Sequence, residues 1–261
     1  MCRHLAYLGP PVTLADPLLH QPHSLLHQSW APSDMRGGGT INADGFGVGW
    51  LDPDDPGFAG GAARRYRRDT PIWSDPSLPD LAASITSGAI LAAVRSATSG
   101  MPVTETACAP FVEGAAMFSH NGVVAGWPDS VAPLAAALPA TALLTLEAAT
   151  DSAFLWALVR EHLRAGRSAA TALGAVVTDV LALAPGSRLN LLLNDGRHIA
   201  ATTVGHGLWL HDGAGSVTVS SEALDPADQR WQPVAELSLV AASLVETGAA
   251  SYSIQPLNQG R

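Results

Sequence analysis

Two stretches of helical period in the middle of the chain, flanked on both sides by strand-like runs, constrain this sequence more than any other feature. From Asp151 the residues Phe154, Leu155, Leu158 and Val159 recur at three and four. Leu173, Val176, Val177, Val180 and Leu181 repeat that spacing after Ser168, a suitable N-cap, and Pro185-Gly186 ends the pattern. Earlier in the chain, Cys2 to Leu8 reads as a strand that stops at Gly9-Pro10-Pro11, and Gly88 to Arg95 as a buried one. Helices are predicted at Pro17 to Gln28 and Leu78 to Thr86. Ala115 to Ser119 leads through His120-Asn121-Gly122 into Val123-Val124, which predicts a hairpin. Beyond the helices, Leu189 to Leu193, His198 to Val204, Gly207 to Leu210 and Ser216 to Ser220 predict a meander, with Asn194-Asp195-Gly196 as a turn. Strands, then helices, then strands predict an α+β fold of sheets covered by helices. No composition break marks a linker, so a single domain over residues 2–261 is expected, with Met1 removed.

A chain of 261 residues buries about 70% of its surface on folding and needs no staple. Cys2 and Cys108 are too few for a disulfide framework and lack the paired spacing of a zinc site. His4, His20, His23 and His27 include spacings of three and four, but nothing near them completes a ligand set, so neither metal nor cofactor is expected. Gly45-Phe46-Gly47-Val48-Gly49 departs from the dinucleotide fingerprint. With 14 basic and 23 acidic residues the net charge is −9, which argues against nucleic acid as a partner. The one basic run, Arg64, Arg65, Arg67 and Arg68, reads as a solvated face. All 14 basic residues are Arg, and the absence of Lys excludes P-loop, Schiff-base and Ser-Lys chemistry. The start carries no apolar leader, so a cytoplasmic protein is expected. Pro133 and Pro139 interrupt the apolar stretch from Val131 to Leu146, so no membrane partner is expected either.

Four places could carry chemistry. Removal of Met1 would give Cys2 a thiol and a free α-amine, whose ordinary pKa of about 7.7–8.0 suits a general base; a cysteine there without function is the alternative. Asn121-Gly122 could supply a side-chain amide and a backbone N–H to an oxyanion, or form a tight turn, or both. Arg95 follows a buried apolar run, where a guanidinium needs an anion: a ligand carboxylate or an internal Asp. Asp151 stands at a predicted helix start, where capping is the default and a contact to a substrate ammonium the alternative.

Taken in order, Cys2, Arg95 in Arg-Ser-Ala-Thr98, Asn121-Gly122 in His-Asn-Gly and Asp151 in Thr-Asp-Ser resemble the motifs of class II glutamine amidotransferases, the N-terminal-nucleophile type. The strings Met1 to Gly9, Gly37 to Trp50 and Val219-Ser-Ser-Glu222 more narrowly resemble stand-alone amidohydrolases of ergothioneine biosynthesis. The resemblance implies a four-layer αββα sandwich with Cys2 at the start of a central strand. It also implies roles: Cys2 as nucleophile and base, Asn121 and Gly122 as oxyanion hole, Arg95 on the glutamyl α-carboxylate, and Asp151 on the α-ammonium. Thr98 would add a contact. The partner is then a small γ-glutamyl compound, and a homo-oligomer is compatible with the resemblance. The leaving group of the narrower family carries a trimethylammonium, for which Trp30, Trp50, Trp73 and Trp127 are candidate cation–π faces. Ser96 and Ser99 stand where synthase-linked glutaminases often carry Trp and His, which argues against a Trp lid. No synthase domain follows before Arg261, so plain hydrolysis is expected. The alternatives are a glutaminase subunit feeding ammonia to a separate synthase and a non-catalytic γ-glutamyl-binding protein.

Overall fold

A computed structural model describes residues 2–36, 41–52, 61–244 and 250–257. Met1 and the Gly37 to Thr40 part of the glycine-dense string lie outside them. Two antiparallel sheets form the centre. The first runs in the order β11 (Trp231–Pro233), β9 (Trp209–Gly213), β10 (Ser216–Ser220), β1 (Arg3–Thr13), β4 (Thr86–Val94), β2 (Phe46–Trp50), β3 (Arg64–Arg68). The second runs β13 (Ala250–Pro256), β12 (Ser238–Leu244), β8 (His198–Thr203), β7 (Arg188–Asn194), β6 (Ala116–Val123), β5 (Phe111–Glu113). Helices α1 (Leu25–Trp30) and α2 (Leu78–Ser84) cover the first sheet, and α5 (Asp151–Arg164) and α6 (Ala169–Leu183) cover the second. The expected four-layer αββα order is therefore present.

Three apolar layers hold these four together. Leu5, Leu18, Phe46 and Ile90 pack between the first sheet and its helices. Leu8, Leu91, Leu192 and Val219 fill the space between the sheets, and Phe118, Phe154, Val177 and Leu191 lie under α5 and α6. The alternation of side chains along a strand explains the split in β4, where Ile90 faces the helices and Leu91 the other sheet. Caps set the ends of the two long helices: Thr150 Oγ1 accepts from Ala153 N at 3.2 Å and Ser168 Oγ from Thr171 N at 3.2 Å. The arginine run forms the edge strand β3, where Arg65 and Arg67 pair with Glu147. A charged edge discourages pairing with another chain.

Several expectations change. Strand β1 continues past Gly9-Pro10-Pro11 to Thr13, because a register shift between Leu8 and Val12 removes the two prolines from positions that need a donor. The helix expected over Pro17 to Gln28 is two pieces, a turn at Asp16–His20 and α1, divided at Pro22, after which Ser24 starts a new cap. Asn121 and Gly122 form no hairpin turn; they continue β6, opposite Asn190 and Leu189 of β7. The expected meander is two hairpins in different sheets, β7–β8 and β9–β10, since local alternation does not say which sheet a strand joins. The Asn194-Asp195-Gly196 turn is present, with Gly196 at φ 85°. Val131 to Leu146 holds two short helices, α3 (Ala132–Ala137) and α4 (Ala140–Leu144), parted at Pro139. Among the described residues no helix is long and apolar enough to cross a membrane.

Candidate active site

Cys2 immediately precedes β1, a strand paired on both sides, by β10 and β4. Its half-buried thiol faces the Ser96 carbonyl oxygen at 3.8 Å. Two adjoining small cavities open at this point. One is lined by Cys2, Arg95, Cys108, Ser119, His120 and Ser152, closed by Phe46 and Phe111. The other is lined by Cys2, Arg95, Thr98, His120, Gly122 and Asp151. Residues from five separate stretches of the chain thus converge on one thiol.

Arg95 leaves the end of β4 with its backbone tied to the loop before β2: its N–H donates to Gly45 O at 2.8 Å and its carbonyl accepts from Asp44 N at 3.0 Å. Asp44 Oδ2 also accepts from Ala97 N at 2.8 Å, which holds the turn carrying Thr98. The guanidinium forms no ion pair among the described residues, and its Nη1 is buried without a hydrogen-bond partner. The internal Asp of the alternative reading is absent among them. A buried, unmatched cationic donor costs free energy unless a ligand anion completes it.

Asp151 is the first residue of α5, and Thr150, not Asp151, makes the side-chain cap. The carboxylate instead binds Val124 N through Oδ2 at 3.0 Å and Ser152 N through Oδ1 at 2.7 Å, at the edge of the cavity that Arg95 also lines. A substrate with a carboxylate and an ammonium on one carbon would find both partners there.

Of the expected oxyanion pair, Gly122 lines the second cavity and Asn121 lines neither. Strand alternation puts Asn121 on the face toward the other sheet, with its Oδ1 buried and unpartnered. Gly122 is demanded by sterics rather than by turn geometry, since a Cβ there would collide with the Arg188 carbonyl oxygen and come within 2.7 Å of His120 Nε2. The four tryptophans considered for a quaternary ammonium do not line these cavities, and Trp127 packs on Phe154, centroids 5.4 Å apart. Trp209 and Trp231 line a separate pocket of about 650 Å³ beside Glu222.

His120 was not singled out by sequence reasoning, although it lines both cavities. Its Nδ1 lies 3.0 Å from Ser152 Oγ and its Nε2 3.0 Å from Arg188 O. The signal was its position beside Asn121-Gly122 in the strand: residues at even spacing, His120 and Gly122, share one face. Burial and neighbouring positive groups push His4 down to about 3 and His206 down to about 4, so both are neutral at pH 7. Burial pushes the Cys108 thiol up to about 11.

No family profile matches the chain. It is 40% identical over 240 residues to the gamma-glutamyl-hercynylcysteine sulfoxide hydrolase of Mycolicibacterium smegmatis, covering 92% of this chain and 95% of that protein. The protein of the same name from Mycobacterium tuberculosis is 39% identical, covering 92% of each. Among solved structures, a glutamine aminotransferase class-II domain protein from Silicibacter pomeroyi superposes with a TM-score of 0.64 over 98% of this chain and 100% of its own, at 23% identity, a likeness of fold. The two sandwiched sheets with Cys2 at the head of a central strand agree with that fold, and the sequence relation extends over nearly the whole chain: it belongs to the family of the gamma-glutamyl-hercynylcysteine sulfoxide hydrolases, built on the class II glutamine amidotransferase fold.

Proposed function

We propose that this protein hydrolyses the γ-glutamyl amide of γ-glutamyl-hercynylcysteine sulfoxide, releasing glutamate and hercynylcysteine sulfoxide. The observation that carries the reading is the buried, unpartnered Arg95 Nη1 in the cavity shared with Cys2. The names of the mycobacterial relatives supply the leaving group.

With Met1 removed, the Cys2 α-amine takes the thiol proton and the sulfur attacks the γ-carbonyl carbon, forming a C–S bond while the carbonyl electrons move to oxygen. The Gly122 backbone N–H, at the cavity wall, is the first donor to that oxyanion, and the Asn121 side-chain amide, which does not line the cavity in the unliganded protein, would turn toward it as the second. Collapse breaks the C–N bond, and the α-ammonium returns its proton to the departing amine. Water then attacks the γ-glutamyl thioester with the α-amine as base, releasing glutamate and restoring the thiol. Throughout, Arg95 holds the glutamyl α-carboxylate, Asp151 the α-ammonium, and Thr98 adds a polar contact.

Glutamate release is measured from the sulfoxide and from glutamine side by side, on protein whose intact mass lacks Met1, with Cys2→Ala as control. Fast, Cys2-dependent release from the sulfoxide supports the hydrolase. Preference for glutamine would replace it with a glutaminase that feeds a separate synthase, and no release from either would remove the catalytic reading.

A further inference from the structure

The ladder of β1 stops one residue short of Cys2: its last pair with β4 is Arg3 opposite Val94. The sheet therefore does not itself fix the residue that bears the thiol. The side chain of the next residue does reach it. Arg3 Nη1 donates to the Cys2 carbonyl oxygen at 3.1 Å, Nη2 donates to Asp34 O, and Nε donates to Glu222 Oε1 at 2.9 Å. Arg3 is 2% exposed and Glu222 3%, so the pair is buried, and 219 residues of chain separate its members.

Glu222 is anchored from several sides. Its Oε2 lies 2.6 Å from His23 Nε2 and accepts from Ser33 N at 2.8 Å, while Oε1 also accepts from Asp34 N at 3.2 Å. Behind it, His23 Nδ1 sits 2.8 Å from His27 Nδ1. A buried ion pair is weak evidence for stability, because desolvation offsets much of the attraction. A planar guanidinium with its donors engaged on three partners does supply direction, and one of those partners is the carbonyl of the nucleophile itself.

We infer that Arg3, held by Glu222, is a positioning residue for catalysis: it fixes the plane of the Cys2–Arg3 peptide and thereby the direction in which the Cys2 thiol and α-nitrogen face the cavity of Arg95 and Gly122. The inference rests on Cys2 being the nucleophile of the proposed hydrolysis. It assigns to the Arg3 and Glu222 positions a role in turnover that Arg95 and Asp151, which face the substrate, do not share.

The test separates direction from stability. Glu222→Gln alone leaves a buried cation unmatched and is expected to unfold more easily, so it decides nothing by itself. The double variant Arg3→Met with Glu222→Met removes both charges at similar volume, which avoids an unmatched buried charge but also takes the acceptor from Ser33 N, Asp34 N and His23, so its melt is read before its kinetics. Arg3→Lys keeps the charge opposite Glu222 but loses the fork that also reaches the Cys2 carbonyl. Each protein is first shown by intact mass to lack Met1, then melted, then assayed for glutamate release. We expect both variants to be folded, with KM within about threefold of the parent because Arg95 is untouched. The kcat should fall roughly 10–100-fold, in line with the cost of a misplacement of about 1 Å. A folded variant of either kind with parental kcat overturns the inference, as does a loss confined to KM. If the double variant does not fold, Arg3→Lys decides alone. A parent protein that releases no glutamate from either γ-glutamyl compound overturns both this inference and the hydrolase reading, whereas an active parent with equally active variants overturns this one only.

Discussion

Asp151 Oδ2 accepts the Val124 N–H at 3.0 Å, which fastens the first residue of α5 to the chain just past the end of β6, two residues beyond Gly122. The same carboxylate thus has a structural partner and a place at the edge of the cavity. Asp151→Asn keeps an oxygen for Val124 and removes the charge. The expected outcome is a KM for the γ-glutamyl substrate raised tenfold or more, with a melting temperature close to the parent's. Asp151→Ala should raise KM in the same way and also lower the melting temperature, by about 1 kcal/mol of stability for each hydrogen bond lost. Paired steady-state kinetics and thermal melts distinguish the two.

Arg95 carries the opposite balance. Its buried Nη1 has no partner in the unliganded protein, so Arg95→Met should raise stability or leave it unchanged, while weakening substrate binding at least 100-fold. Calorimetry of the variant beside its KM checks both halves. A clear drop in melting temperature would mean that the guanidinium is already satisfied.

Asn121 and Gly122 make separable predictions. Gly122→Ala drives a methyl into the Arg188 carbonyl and should destabilise the fold by about 1–3 kcal/mol, read by chemical denaturation. Asn121→Ala should cost about 10²–10³ in kcat if its amide faces the oxyanion. A loss below tenfold would leave Gly122 as the donor on its own.

Acid should destabilise the protein before its carboxylates titrate. His4 and His206 have folded pKa values of about 3 and 4, both depressed from the ordinary 6.5 by burial. Between those values and 6.5 the unfolded chain binds more protons than the folded one, so stability is full above pH 6.5 and is lost as the pH falls. Each histidine contributes a slope of up to about 1.4 kcal/mol per pH unit. Urea melts from pH 7 to pH 4 should show the decline, and His206→Gln should flatten it.

The two cysteines should differ in reactivity. Cys2 is half-buried, whereas Cys108 is fully buried and its thiol is pushed up to about 11. Brief iodoacetamide treatment at pH 7.5 is expected to add one adduct, mapped to Cys2 by peptide mass. A comparable yield at Cys108 would show that the interior wall of the cavity opens readily.

Much of the architecture was legible because it follows local rules. The 3.6-residue spacing after Asp151 and Ser168 predicted α5 and α6, and the glycine of Asn194-Asp195-Gly196 predicted its turn. What was not legible depends on contacts made at a distance. The prolines at 10 and 11 read as a stop, yet the strand resumes because β4 shifts register to accommodate them. Asn-Gly at 121–122 read as a turn, yet the pressing neighbour is the Arg188 carbonyl of β7, which no local pattern announces. Within the site, ordered motifs pointed to Cys2, Arg95, Thr98, Gly122 and Asp151, and the structure brings these five together around one cavity. His120 lies inside the local turn signal of His-Asn-Gly, and only the pairing of β6 with β7 sets it on the cavity face.

The position of β1 inside its sheet has a further consequence. Its two neighbours are drawn from residues 86–94 and 216–220, so any fragment cut before residue 216 keeps the cysteine but lacks one flank of the strand that presents it. Competence for turnover is then a property of the assembled chain rather than of its motifs. An active-site titration would count only those molecules in which distant segments have met, and so serves as an assay for correct assembly as much as for chemistry.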